Sequence, residues 1–356
     1  MINIDNLTQI KQLDKENVAG SIEQLGLQCE QAFTESSNIK FPIEYKHVRN
    51  IIFSGMGGSA LGAYVVKSLF INDITVPFEI INDYHLPKYA DAKTLVVASS
   101  YSGTTEETVN FLKEAIERKC LTTGLTSGGK LEHLFKKEKI PAYIYLPKYN
   151  PSNQPRMALG YPIFGLLAIF NNLGLITVDA KEIDVLKQYI DQGNLQYGLN
   201  SPETKNAAKK LAHKWWQKIP VIVSSEHLMH VGRVVRNQLN ECAKNFAAYH
   251  DVPELNHHLM EGLAHPKSNK ENLSFLFINS NNYSFSIKKR MTITEEIVKR
   301  NGISTHKLTL NGKTKLSEAI EWIQYGSYVN FYLALLYGVD PSKIPWVDYF
   351  KAELSK

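Results

Sequence analysis

The sequence predicts an α/β protein built from two successive parallel-sheet units, and three observations carry that expectation. Short apolar, β-branched runs alternate with helix-like stretches of about ten residues or more, the pattern of a parallel sheet with helices on both faces. Two of the early runs end in loops rich in glycine or hydroxyl residues that lead straight into a helical pattern. The chain has 356 residues, more than one hydrophobic core usually serves, so two compact domains are expected.

Residues 1 to 45 are polar with intermittent Leu, Ile and Val, which reads as a helical lead-in packed on the first unit. Residues 51–53 then form a strand that runs into a glycine loop and a helix over 60–70. The unit recurs: a strand over 94–98 leads through a Ser/Thr loop into a Glu-rich helix start over 106–119. Further strands are expected over 122–126 and 142–146, and the apolar stretch 155–172 reads as a buried helix closing this half. The second half alternates less plainly, with strands over 220–225, 275–278 and 305–310 and helices over 227–241, 288–300 and 317–337. The polar stretch 179–199 connects the two patterns. Units over 1–176 and 177–356, the latter with a helical tail, are therefore expected.

Composition limits the functional classes. The formal charge of +5 comes from Lys and Arg interspersed with Asp and Glu, without the dense basic block of a nucleic-acid tail, while a mildly basic surface suits an anionic metabolite. Cys29, Cys120 and Cys242 are odd in number and unpatterned, so neither a disulfide framework nor a zinc cluster is expected. The opening Met1-Ile2-Asn3-Ile4-Asp5 lacks the features of a secretory signal, and the longest apolar run is about half of the roughly 20 residues of a membrane span. A soluble, cytoplasmic protein is expected.

Gly55-Met56-Gly57-Gly58-Ser59 lies between a strand and a helix, where backbone N–H groups and the positive helix end collect an anion. A packing turn would look the same. Gly55, Gly57 and Ala60 also satisfy the relaxed dinucleotide fingerprint, with Asp83 near the position of a ribose-binding acid. The next loop speaks against a dinucleotide, because Ser100, Ser102, Thr104 and Thr105 place four hydroxyls within six residues at another helix N-terminus. Helix capping accounts for one or two of them. Phosphate accounts for all four.

Five ordered motifs now carry a resemblance. Residues 54–60 (Ser-Gly-Met-Gly-Gly-Ser-Ala), 100–108 (Ser-Tyr-Ser-Gly-Thr-Thr-Glu-Glu-Thr), 154–161 (Gln-Pro-Arg-Met-Ala-Leu-Gly-Tyr), 236–241 (Arg-Asn-Gln-Leu-Asn-Glu) and 253–257 (Pro-Glu-Leu-Asn-His) resemble the bifunctional phosphoglucose/phosphomannose isomerases. The resemblance implies two sugar-isomerase (SIS) domains, flavodoxin-like α/β/α sandwiches, in a homodimer that uses neither metal nor cofactor. It implies interconversion of glucose 6-phosphate, and of mannose 6-phosphate where both epimers are accepted, with fructose 6-phosphate. Carried over residue by residue, Ser59, Ser100, Ser102 and Thr105, with Gly57 and Gly58 of the first loop, match the phosphate binders. Arg156 matches the arginine beside C1 and C2, Glu241 the base, His257 the ring-opening histidine given by the partner subunit, and Lys351 a helper in ring opening. Thr104 replaces the family's usual Asn. The tail hydroxyl linked to accepting both epimers falls at Ser342 or is lost at Ile344.

Those roles meet the needs of an aldose–ketose isomerisation: a base for the C2 proton, a group to open the ring and positive charge beside the oxyanion. Arg suits the last because its charge is permanent and its fork meets two oxygens. Glu241 near Lys244 reads equally as a surface pair, and Glu254 and Glu261 flank His257 without a fixed role. His257 beside His258 invites a zinc reading, but adjacent histidines rarely share one ion and no i, i+4 His/Glu ligand pair accompanies them. A non-catalytic sugar-phosphate sensor would normally add a helix-turn-helix reader, whose turn glycine and basic helix the first 45 residues lack. An amino-sugar phosphate isomerase shares the fold and chemistry and is commonly fused to an amidotransferase domain with an N-terminal cysteine. Neither nucleic acid nor membrane is an expected partner.

Overall fold

The computed structural model describes residues 2–354 and 356. Its elements run α1 (Leu7–Leu13), α2 (Val18–Glu23), α3 (Leu25–Ser37), β1 (Asn50–Ser54), α4 (Gly58–Leu69), β2 (Phe78–Ile81), β3 (Thr94–Ser100), α5 (Glu106–Glu117), β4 (Leu121–Thr126), α6 (Gly129–Lys137), β5 (Tyr143–Ile144), α7 (Gly160–Asn172) and α8 (Ala180–Tyr197). They continue with α9 (Ala207–Trp215), β6 (Ile219–Ser225), α10 (Met229–Cys242), β7 (Ala248–Val252), α11 (Asn269–Asn272), β8 (Leu273–Asn279), α12 (Phe285–Arg300), β9 (Ser304–Thr309), α13 (Lys315–Leu336) and α14 (Pro345–Leu354). Two compact units result, one of Gln24–Gln188 and one of Met1–Glu23 with Tyr189–Lys356.

In Gln24–Gln188 a parallel sheet has the order β2-β1-β3-β4-β5. This is the flavodoxin-like order. Every residue of β3 is buried, as expected for a central parallel strand covered on both faces. Phe111 and Ala115 of α5 close on Ile52 and Val96, while Leu131 and Phe135 of α6 close on Ala98. α7 is buried throughout residues 160–170 and is tied to α3 by Gln28, whose Oε1 accepts from Gly160 N (3.2 Å) and whose Nε2 donates to Met157 O (3.1 Å). The sequence reading joined 155–172 into one helix. The structure breaks it into a 3-10 turn (Pro155–Met157) and α7.

The second unit has a parallel sheet of order β7-β6-β8-β9, with the long, almost wholly buried α13 alongside. The first residues of the chain belong here, where the sequence reading packed them on the first unit. Lys209 of α9 explains why. Its ammonium is fully buried and is satisfied by Asp5 Oδ1 (2.8 Å), Ser201 O (2.8 Å) and Leu199 O (3.1 Å), with the Tyr332 ring 5.1 Å away. The division expected at residues 176/177 also lies later, at 188/189 within α8. The supposed polar connector is that helix: Ile183, Leu186 and Ile190 are spaced three and four apart and all are buried. Edge strands β2 and β7 escaped the sequence reading, and β5 is shorter than expected, confined between Pro141 and Pro147. Among the described residues no helix is long and apolar enough to cross a membrane.

Candidate active site

In Gln24–Gln188 the strand order reverses at β1, which has β2 on one side and β3 on the other. Open parallel sheets bind ligands beyond the carboxyl ends of the strands at such a reversal, here the loops after β1 and β3. In the dinucleotide order, β2 and β3 lie on the same side of β1. This sheet therefore departs from the dinucleotide reading, and the exposed Asp83 spends Oδ1 on Tyr84 N at 2.6 Å.

The loop after β1 turns into α4 through Gly57, whose φ of 49° suits glycine, and Gly58. A Cβ on Gly58 would lie 3.1 Å from Arg156 N and 3.2 Å from Pro155 C, so the backbone carrying Arg156 packs directly on the start of α4. Ser59 is half-buried. Its Oγ accepts from Tyr101 N (2.9 Å) and its carbonyl accepts from Ser99 Oγ (3.2 Å), which ties the first loop to the second.

In the second loop the hydroxyls form two pairs. Ser100 Oγ, buried, lies 2.7 Å from Thr105 Oγ1 and accepts from Gly103 N (3.1 Å). Ser102 Oγ, exposed, lies 3.0 Å from Thr104 Oγ1 and accepts from Thr104 N (3.3 Å). Each pair shares one O–H between two oxygens, leaving the other O–H of the pair to donate elsewhere. Thr105 stands at the N-cap of α5 without a side-chain capping bond, so capping is not how its hydroxyl is used. The N-termini of α4 and α5 add the partial positive charge of their first turns.

Arg156 sits in the 3-10 turn after a Pro- and Asn-rich run and is 2% exposed, with Nη1 donating to Gln154 Oε1 at 2.9 Å. The turn is held by Tyr101 of the second loop. The Tyr101 hydroxyl donates to Asn153 Oδ1 (3.0 Å) and accepts from Asn150 Nδ2 (3.0 Å), which also donates to Gln154 O (3.2 Å). Burial raises the Tyr101 pKa and keeps this phenol protonated. Sequence reasoning quoted Tyr101 and Gln154 within motifs but gave them no role. The density of turn formers over 150–155 ahead of an arginine was the available signal. Hydroxyls, helix ends and an arginine are groups whose chemistry can pair with a phosphorylated anion.

The remaining candidates lie in the second unit. Glu241 is half-buried in the last turn of α10, which is fixed to α13 through Gln238 Oε1, an acceptor for Ser327 Oγ (3.1 Å) and Asn330 Nδ2 (3.2 Å). Lys244 donates to the carbonyls of Cys242 (3.0 Å) and Asp340 (2.5 Å). His257 is exposed at the end of a 3-10 turn anchored by buried Leu255 and by Asn256 Nδ2 donating to Thr294 Oγ1 (2.7 Å). His258, also exposed, has its ring 5.8 Å from that of His250, and burial together with His258 holds His250 below its ordinary pKa. Glu254, Glu261 and Lys351 are exposed. Ser342 is buried and its Oγ donates to Asp340 Oδ1 (2.6 Å), while Ile344 is half-buried. Among the described residues no group of three or more His, Cys, Asp or Glu side chains is placed to hold a metal ion.

Comparison with known proteins adds to this geometry. Residues 204–354 match the family model described as the bacterial phospho-glucose isomerase C-terminal SIS domain. A bifunctional phosphoglucose/phosphomannose isomerase from Caldicellulosiruptor bescii is 31% identical over 337 residues, 94% of this chain and 98% of that one. Another, from Aquifex aeolicus, is 32% identical over 309 residues, 86% of this chain and 91% of that one. The crystal structure of a hypothetical protein from Thermus thermophilus matches with a TM-score of 0.75 at 18% identity, covering 98% of this chain and 93% of that one. At that identity the likeness bears on fold alone.

Proposed function

Since the chain belongs to the bifunctional phosphoglucose/phosphomannose isomerase family, we propose that it interconverts glucose 6-phosphate and mannose 6-phosphate with fructose 6-phosphate through an enediolate. The observation that carries this reading is the pair of hydroxyl-lined loops after β1 and β3, with the Arg156 backbone packed on the start of α4. In the proposed mechanism Ser59, Ser102 and the free O–H of the Ser100–Thr105 pair donate to the phosphate, with the backbone of Gly57 and Gly58 and the ends of α4 and α5 balancing its charge.

His257, supplied by a second copy of the chain in a homodimer, opens the sugar ring by protonating the ring oxygen, with Lys351 assisting. Glu241 takes the C2 proton of the aldose and returns it to C1, while the Arg156 guanidinium meets the negative charge that develops on the enediolate oxygens. Electrons and protons balance without a redox partner. Acceptance of the mannose epimer rests on the family, because the Ser342 hydroxyl is spent inside a buried turn.

A coupled assay of the purified chain with glucose, mannose and glucosamine 6-phosphates, with and without a chelator, tests the proposal. Turnover of glucose 6-phosphate that survives chelation supports it. Turnover of glucosamine 6-phosphate alone would move the chain to amino-sugar chemistry, and binding without turnover would make it a sensor.

A further inference from the structure

The unit holding the second sheet has its own strand-order reversal. β6 lies between β7 and β8, so the crevice that an open parallel sheet offers a ligand is bounded by the loops after β6 and β8. Those loops resemble the phosphate loops of the other unit in two respects. In each pair a backbone N–H of one segment donates to a side-chain hydroxyl of the other: Tyr101 N to Ser59 Oγ (2.9 Å) in the first, and Ser225 N to Tyr283 Oη (3.0 Å) in the second. A serine just past the second strand accepts the N–H two residues on, Ser102 from Thr104 N (3.3 Å) and Ser280 from Asn282 N (2.9 Å).

What fills the second crevice is a side chain of the protein itself. Glu318, in the first turn of α13, is fully buried. Its Oε2 lies 2.7 Å from His227 Nε2, which follows β6, and accepts from Ser280 Oγ at 2.6 Å, which follows β8. One group from each loop thus converges on a single carboxylate oxygen. Glu318 Oε1 and His227 Nδ1 are buried without hydrogen-bond partners. A buried carboxylate with unused acceptor capacity is costly, and it is offset here by the donors it satisfies and by the positive end of α13.

We propose that the Glu318 carboxylate is a resident anion that occupies, in this unit, the place phosphate takes between the loops of the other. The comparison rests on the phosphate reading above. The chain accordingly has one phosphate site, and Glu318 holds the second crevice shut.

Titration of the wild-type protein with inorganic phosphate should reach one equivalent per chain, with its affinity lowered about tenfold or more by Ser102→Ala. A second equivalent that survives Ser102→Ala would overturn the proposal, whereas a single equivalent insensitive to Ser102→Ala would count against the phosphate loops and not against Glu318. In the Ser102→Ala background, Glu318→Ala should create an anion site, so formate or inorganic phosphate should raise its Tm by at least about 3 °C more than that of Ser102→Ala alone. Glu318→Gln, which retains shape and an acceptor oxygen, should gain little. Equal shifts with and without Glu318→Ala would show an ordinary buried pair and refute the resident-anion role. Should Glu318→Ala not fold, a second phosphate equivalent on the wild-type chain would still overturn the proposal.

Discussion

Replacing Tyr101 by phenylalanine removes a single oxygen that both donates to Asn153 Oδ1 and accepts from Asn150 Nδ2, each at 3.0 Å. Asn150 is 4% exposed, so water cannot readily replace the lost partner. Two neutral hydrogen bonds at about 1 kcal/mol each, with part of the cost of an unsatisfied buried amide, give a loss of about 2–3 kcal/mol. For a unit of this size that corresponds to a Tm lower by about 4–12 °C. The turn released is the one that carries Arg156, and a displacement of about 1 Å at a reacting group costs about 10²-fold in rate. Hence kcat should fall at least about tenfold in Tyr101→Phe. The phosphate hydroxyls and the Tyr101 N–H to Ser59 are untouched, so the Kd for inorganic phosphate should stay within about threefold. Thermal melts, steady-state kinetics and a phosphate titration on one preparation separate these effects. A folded Tyr101→Phe with unchanged kcat would refute a positioning role, and so would equal losses in kcat and phosphate affinity.

Ser102→Ala should raise KM about tenfold or more, since a hydrogen bond to a charged group contributes about 1.5–3 kcal/mol; an unchanged KM would place the phosphate elsewhere. Exhaustive chelation should leave isomerase activity intact, and loss restored by zinc would reinstate the His257-His258 metal reading. Acid stability should depend on Glu295. Burial opposes its ionisation, but Lys299 and Lys307, each 2.6 Å from one carboxylate oxygen, lower its pKa overall. The pairing therefore stabilises the fold above the ordinary Glu pKa and is lost as pH falls through the lowered value. Lys307→Met should move the midpoint of acid unfolding to higher pH, and an unmoved midpoint would remove Glu295 from the acid response.

Legibility followed burial pattern. β3 was readable because a central parallel strand is apolar over its whole length, whereas β2 and β7 are edge strands with half-buried, mixed sequences such as Ala-Tyr-His-Asp-Val. α8 was hidden by its many polar residues, although its three buried apolar side chains keep helical spacing. The loops proposed for phosphate stood out because their hydroxyl density exceeds what capping uses. The brace at Tyr101 and the buried Glu318 did not, since each depends on partners 38 to 91 residues away and local pattern carries no trace of such pairings. The attachment of the first residues to the second unit is of the same kind, made by Asp5 and a lysine 204 residues on.

The central claim is that Glu241 moves the proton, and solvent exchange measures it most directly. In deuterated water the wild-type enzyme should introduce deuterium at the carbon that receives the proton while converting glucose 6-phosphate to fructose 6-phosphate. Glu241→Gln keeps the side chain's size but removes its basicity, so exchange and kcat should fall in parallel by about 10²–10⁴-fold while substrate binding survives. Turnover largely retained in Glu241→Gln, with exchange abolished instead by His257→Ala even on an open-chain substrate, would contradict the claim and make His257 the proton carrier.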